Sequence, residues 1–289
     1  MSDEKKTPDL AAVPNKTHAF LSHLHRVVQA RSGNDLTLLW LTYASHLSAD
    51  ILNLLANPVA HLPPSLLTSK LARPLLLLSR LLLKPGSLSA VVAVQLAARL
   101  KALATTLSEV RIFARLWGLL GIYFGAKSAI EKRNAQIAAD PEAASSPEAR
   151  FDAFVNFTQL AALVSYQSLE NISYLSSRKI IPLSPYLTGR LGKWSVRSWM
   201  VYIGLELGKL LVDRARHVPK RAYDAESVRE EKTYQKEWRK EFLRTLAWAP
   251  LTVNWSLEQP VLPSLAVSAF AFYPSMGMMK DLWQAKAEA

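Results

Sequence analysis

The sequence predicts an all-α protein whose amphipathic and marginally hydrophobic helices associate with a membrane. Three observations carry that prediction. No β-alternation of useful length and no internal repeat occurs in the 289 residues. Half the residues are hydrophobic and a fifth charged, which suits a soluble protein or a membrane protein with polar loops, and the net charge of +12 points to an anionic partner. No Asp or Glu stands between Asp50 and Glu109, while the stretch from Ser69 to Gly86 holds eight leucines and four basic residues.

In chain order, residues 1–16 are polar, carry two prolines and read as disordered. Helices are expected over 17–32 and 34–56, separated by a Ser32-Gly33-Asn34-Asp35 turn with Asn34 or Asp35 as N-cap. Pro58, Pro63 and Pro64 end the second. Helices follow over 65–84, 87–107 and 108–131, the first two parted by Pro85-Gly86. Residues 131–150, rich in Ala, Ser, Pro and charge, read as a linker between an N-terminal helical part (17–130) and a C-terminal one (151–289). Then come a helix over 151–177, a loop over 180–192, and helices over 193–216 and 220–248. The segment 245–279 carries one charge, Glu258.

A membrane span needs about 20 apolar residues. Four segments approach this: 112–130 if Arg115 and Lys127 snorkel, 153–169 with Asn156, Thr158 and Gln159, 194–212 with Arg197, Glu206 and Lys209, and 259–279 with Pro260, Pro263 and Pro274. A charge at a helix centre costs about 3 kcal/mol on insertion scales, so these segments need packing that turns their polar faces inward. Gly121 and Gly125 share one helix face, as do Gly204 and Gly208, a spacing that lets membrane helices approach closely.

Wound at about 100° per residue, Lys70, Arg73, Arg80 and Lys84 form one stripe and Leu71, Leu75, Leu78 and Leu82 the opposite one. This is the pattern of a basic helix lying among anionic phospholipid headgroups. Pro74 starts that helix late and leaves Arg73 just outside it.

Several chemistries are excluded. Without cysteine there are no disulfides, zinc thiolates or cysteine nucleophiles. His23 and His25 point to different sides of a helix, and no Walker loop, His-Glu-x-x-His, Gly-x-Gly-x-x-Gly or Gly-x-Ser-x-Gly occurs. No cofactor and no catalytic residue is expected. The N-terminus lacks the apolar core of a secretory signal, so sequons at Asn15, Asn156, Asn171 and Asn254 read as chance. The final Ala-Glu-Ala is not a peroxisomal matrix signal. Glu206 is expected to pair with Arg197, Lys209 or Lys193. The stretch 220–244 mixes charge signs, with Glu226–Arg229, Glu237–Lys240 and Glu241–Arg244 at helical spacing, and Tyr223, Tyr234, Trp238 and Phe242 give it an aromatic side that packs on protein or a bilayer surface. Its basic residues are too sparse for nucleic acid.

Three stretches together resemble the peroxin-11 family of peroxisomal membrane proteins: "LSEVRIFARLWGLLGIYFGAKSAI" (107–130), "LVSYQSLENISYLSSRKIIP" (163–182) with Glu170 and Tyr174, and "GKWSVRSWMVYIGLELGKLLVDR" (192–214) with its Trp-Ser-x-x-Ser-Trp core. The likeness covers roughly 60–215 and is nearest the fungal-type or gamma-like branch. It implies a peroxisomal membrane protein that drives peroxisome elongation, proliferation and fission. An amphipathic helix would insert in the bilayer, copies would self-associate, and partners would include the fission machinery and the import chaperone for peroxisomal membrane proteins. Some members are linked to small-metabolite permeation. Pro74 and the proline-rich C-terminal segment depart from the family pattern. A metabolite pore lined by Arg197, Glu206, Lys209, Asn156 and Gln159 is the first alternative, and a soluble α-helical adaptor the second.

Overall fold

The computed structural model describes residues 12–29, 33–61, 77, 79, 81, 86–217 and 225–287, and among these there is helix and no strand. The long helices are α1 (Ala12–Gln29), α2 (Gly33–Ala56), α3 (Leu88–Ala114), α4 (Gly118–Ala139), α5 (Pro147–Ser177), α6 (Pro185–Arg216), α7 (Ala225–Ser256) and α8 (Ser264–Ala287). A 3₁₀ turn, Arg115–Trp117, joins α3 to α4 in one rod of 52 residues, about 80 Å long.

Helix starts follow from capping chemistry. The Ser87 hydroxyl accepts the Ala90 amide at the head of α3. Ser146 and Ser184 cap α5 and α6 in the same way, each followed by proline at the first helical position, where the lost N–H has no helical partner. Residues 131–139, expected as linker, instead extend α4. Glu, Lys, Ala and Gln are strong helix formers and need no apolar stripe to continue an existing helix. The helix stops at Asp140 because the residue before a proline avoids the α region, and Asp140 then caps the one-turn helix Pro141–Ala144. The expected loop over 180–192 is shorter than predicted, since Ser184-Pro185 begins α6 and places Gly189 and Gly192 inside it. Neither Asn34 nor Asp35 precedes α2, which starts at Gly33. Prolines 250 and 274 lie within α7 and α8 rather than ending them.

The helices pack in a closed circuit: α3 on α2, α2 on α8, α8 on α7, α7 on α6, α6 on α5, and α5 on α4, which continues α3. The α3–α2 contact is made of alanine. Ala90 and Ala93 meet Ala56 and Leu52, and Ala97 and Ala104 are fully buried. Buried Asp50 ties three helices, taking Lys101 of α3 at 3.1 Å and the Ser264 hydroxyl of α8 at 2.9 Å. Between α5 and α6, Gln159 donates to Glu206 at 2.7 Å and the Ser195 hydroxyl to the Tyr166 carbonyl at 2.9 Å. The Trp238 indole of α7 donates to the Leu210 carbonyl at 2.8 Å, so the aromatic side of α7 packs on α6. Trp238 also stacks on Phe242, and Tyr234 on His217. Asn254 is buried and accepts the Val261 and Leu262 amides, which holds the α7–α8 turn.

Helix α5 ends in a six-residue hydrogen-bonded turn: Ile180 N–H reaches the Leu175 carbonyl and Lys179 N–H the Ser176 carbonyl. That geometry places Lys179 at φ 61°, a position glycine usually takes.

Candidate membrane-binding face and central polar cavity

Helix α3 is amphipathic by size rather than polarity. Its buried side is Ala90, Ala93, Ala97, Ala104 and Arg111. Its large apolar residues face outward: Leu88, Val92, Leu96, Leu103, Val110 and Phe113 follow one another at spacings of three, four or seven and are all exposed, Leu88 at 79%. Arg99 interrupts the stripe. Trp117, Leu120 and Phe124 carry exposed apolar surface on along the rod. Among the described helices this rod alone is long and apolar enough to cross a membrane, and only 22% of its most apolar window is buried. The apolar run therefore starts at Leu88, well ahead of the expected 112–130 segment.

All eight predicted lipid-binding residues, Lys70, Leu71, Arg73, Leu75, Leu78, Arg80, Leu82 and Lys84, lie outside the described residues. Leu77 and Leu81 of the same stretch are described; both are helical and strongly exposed, with Ser79 buried between them. Gly121, Gly125, Gly204 and Gly208, predicted as packing glycines, have open space where a Cβ would stand, so no described helix of the same chain packs on them. The glycines that do admit close neighbours are Gly118, against Gln167, Gly192, against the Ser173 hydroxyl, and Gly277, against the Arg244 guanidinium.

The residues named for a pore are paired across helices. Glu206 takes Gln159 rather than a basic neighbour, Lys209 reaches Asn156 at 3.4 Å, Arg197 donates to the Ser256 carbonyl at 3.2 Å, and Lys193 pairs with Glu258. Of the charge pairs expected on α7, Glu237–Lys240 forms at 2.7 Å, while Arg244 turns to Asp281 of α8 at 2.6 Å. That guanidinium holds the Asp281 carboxyl below its ordinary value, with Lys240 assisting. At the α6–α7 junction His217 holds Glu231 similarly low through a 2.8 Å hydrogen bond.

The circuit forms a pocket of about 600 Å³ that is partly open to solvent. Two arginines one turn apart on the rod enter it. Arg111 grips Asp35 through Nε at 2.9 Å and Nη2 at 3.3 Å. Arg115 gives Nη2 to Glu170 at 2.8 Å, and the Tyr166 hydroxyl donates to the same carboxylate oxygen at 3.1 Å. Gln167 and Asn171 donate to the Arg115 and Leu116 carbonyls, closing the backbone of the 3₁₀ turn. The remaining wall combines aromatic rings, Tyr43, Tyr174, Trp199, Trp248 and Trp255, with serines and aliphatic side chains; Trp199 lies 5.4 Å from Trp248 and stacks on Trp255 at 6.1 Å. All three family-like stretches thus meet here, through Arg111 and Arg115, through Tyr166, Glu170 and Tyr174, and through Trp199, while Tyr43, Trp248 and Trp255 are not singled out by the sequence and Asp35 only as a helix cap. The signal present was Arg111 and Arg115 at i and i+4 in an otherwise apolar helix.

No protein-family model matches the chain, and neither the curated proteins nor the solved structures include a significant match.

Proposed function

We propose that this protein remodels the peroxisomal membrane, promoting peroxisome elongation, proliferation and fission without catalysis. The observation that carries the reading is the outward stripe of α3. A helix folding against water puts Leu and Val inside and Ala outside, and α3 does the reverse. Each large apolar side chain left wholly in water forfeits about 1.5–3 kcal/mol, and these six, roughly half exposed, together forfeit on the order of 5–10 kcal/mol, comparable to the whole stability of a domain. Hydrocarbon recovers that energy. Arg99 extends its charge to the interface along an apolar stem. The net charge of +12 favours an anionic leaflet. The organelle is taken from the resemblance of 107–130, 163–182 and 192–214 to the peroxin-11 family. Open Gly121/Gly125 and Gly204/Gly208 faces support self-association, because nothing described in the same chain covers them.

The test is alkaline carbonate washing of organelles carrying the full-length protein, with peroxisome length measured in the same cells. Wild type stays in the membrane pellet and elongates peroxisomes. The Val92→Glu, Leu96→Glu, Leu103→Glu triple variant moves to the supernatant and loses elongation, since each charge costs about 3 kcal/mol in hydrocarbon. Release of the wild type, or elongation by the triple variant, overturns the reading. Step conductance in planar bilayers would replace remodelling by a pore.

A further inference from the structure

We propose that the α5–α6 turn is a second membrane anchor, a basic tip that docks among the headgroups of an anionic bilayer beside the rod. The proposal deepens the membrane reading of α3 and rests on it. Between Glu170 and Glu206 the chain carries no Asp or Glu and five basic residues, Arg178, Lys179, Arg190, Lys193 and Arg197. Glu109 takes Arg178 at 2.8 Å and Glu258 takes Lys193, while the other three make no ion pair with a carboxylate among the described residues. Large apolar side chains stand exposed among these charges: Ile180 at 67% and Tyr186 at 73%, with Leu187 and Trp194. Each arginine lies over an aromatic ring, Arg178 over Tyr174 at 5.4 Å, Arg190 over Tyr186 at 5.6 Å and Arg197 over Trp194 at 5.1 Å. Tyrosine and tryptophan beside arginine and lysine suit a membrane–water boundary, because each has an apolar body and a polar end.

Position agrees with composition. The Arg178–Glu109 bridge sets the tip against the C-terminal part of the outward stripe, where exposed Val110 and Phe113 follow. From Leu88 to Glu109 the helix rises about 30 Å, the thickness of a hydrocarbon core. With Leu88 at one boundary, the tip stands at the other, where the headgroups begin. Lys179 turns the chain there at φ 61°, in a conformation that glycine adopts without strain. A strained residue of this kind is kept where its side chain has a use. Pro182 and Pro185 limit the freedom of the turn, so little order has to be gained on docking. An acidic protein surface would also match the charge. A bilayer matches the exposed Ile180 and Tyr186 as well, since the acyl boundary below its headgroups takes up projecting apolar side chains without a fitted concavity.

The chain holds no cysteine, so a single introduced one carries a unique label. Full-length protein with Ile180→Cys, Leu96→Cys or Lys236→Cys is labelled with nitrobenzoxadiazole and reconstituted into phosphatidylcholine vesicles with or without phosphatidylserine. Spin-labelled lipid is the quencher, and Lys236, exposed on α7, is the control position. With phosphatidylserine the Ile180 label is expected to be quenched at least about twofold more than the control, and more by lipid labelled near the headgroup than near the chain end. In neutral vesicles, or with Lys179→Gln and Arg190→Gln added, that quenching should fall to the control level. Circular dichroism checks that the double substitution leaves the protein folded, and the lipid comparison stands without it. Quenching at Leu96 but not at Ile180 overturns the tip, spares the rod and leaves the basic patch to an acidic protein. Quenching at Ile180 but not at Leu96 keeps the tip and overturns the rod, and quenching at neither overturns both. Equal quenching at Ile180 in neutral and anionic vesicles also overturns the proposal.

Discussion

The rod and the α5–α6–α7 group bury their surfaces by opposite rules. Helix α3 meets α2 through alanines and two long-range ion pairs, Asp50–Lys101 and Asp35–Arg111, and turns its bulk outward. Helices α5, α6 and α7 meet through side-chain amides, hydroxyls and indoles, with the large rings of Tyr166, Trp199 and Trp248 turned inward. The second arrangement pairs its interhelical polar groups within one chain. The first leaves its largest apolar area uncovered. Among the described helices the rod alone is long and apolar enough to cross a membrane, although Phe154 and Phe157 of α5 and Leu211 of α6 are exposed as well.

The comparison breaks most sharply at Glu170. Removing its carboxylate by Glu170→Ala strands Arg115 inside the inward-packed group and should cost about 3 kcal/mol, read as a lowered midpoint in detergent-phase unfolding. Loss of less than about 0.5 kcal/mol would mean that the pair contributes no more than a surface one. On the rod, Ala97→Leu overpacks the alanine seam and should destabilise by about 1–3 kcal/mol, whereas Leu96→Ala one residue away should leave the fold nearly untouched and weaken membrane retention. Equal unfolding effects at both positions would erase the distinction between the two faces.

A smaller effect separates α8 from both regions. Asp281 is held below its ordinary value by Arg244 first, so its stabilisation is present above the unfolded carboxylate value, near pH 4, and is lost as pH falls through the folded one. Wild type and Asp281→Asn should differ in thermal midpoint at pH 7 and converge below about pH 4. A gap that persists in acid would show that the aspartate acts through packing. The smallest effect is expected at Gly204 and Gly208. Leucine there should leave the unfolding midpoint within about 0.5 kcal/mol, because open space awaits the side chain. The same pair of substitutions should reduce crosslinking between copies.

Much of the helical plan was legible in the sequence. The absence of alternation points to the class, α2 lies close to its expected limits, and α5 and α6 end where expected. Two kinds of boundary were missed for the same reason. Asp140-Pro141, Ser146-Pro147 and Ser184-Pro185 each pair a capping side chain with a proline at the first helical position. Read as breakers, these prolines suggested a linker and a long loop; read as helix starts, they give the observed limits. The cavity was not legible, because Asp35, Arg111 and Glu170 lie 55 to 76 residues apart in their pairings and no local spacing encodes a meeting of five helices. The outward stripe was partly legible. Periodicity finds an apolar helix face, but only the position of α2 against the alanines reveals which face is left outside.

The 3₁₀ turn at Arg115–Trp117 alters the angular register of the rod. Three residues advancing about 120° each, in place of about 100°, rotate α4 by some 60° relative to a wheel drawn through α3. A single helical projection over Leu88–Ala139 therefore misassigns the azimuth of every residue beyond Trp117, Gly121 and Gly125 included. Substitutions meant to tilt the rod in its surroundings must be chosen on two wheels, one per segment. Restoring a uniform α-helical pitch through 115–117 would swing the α4 face round by that angle while leaving the α3 seam in place.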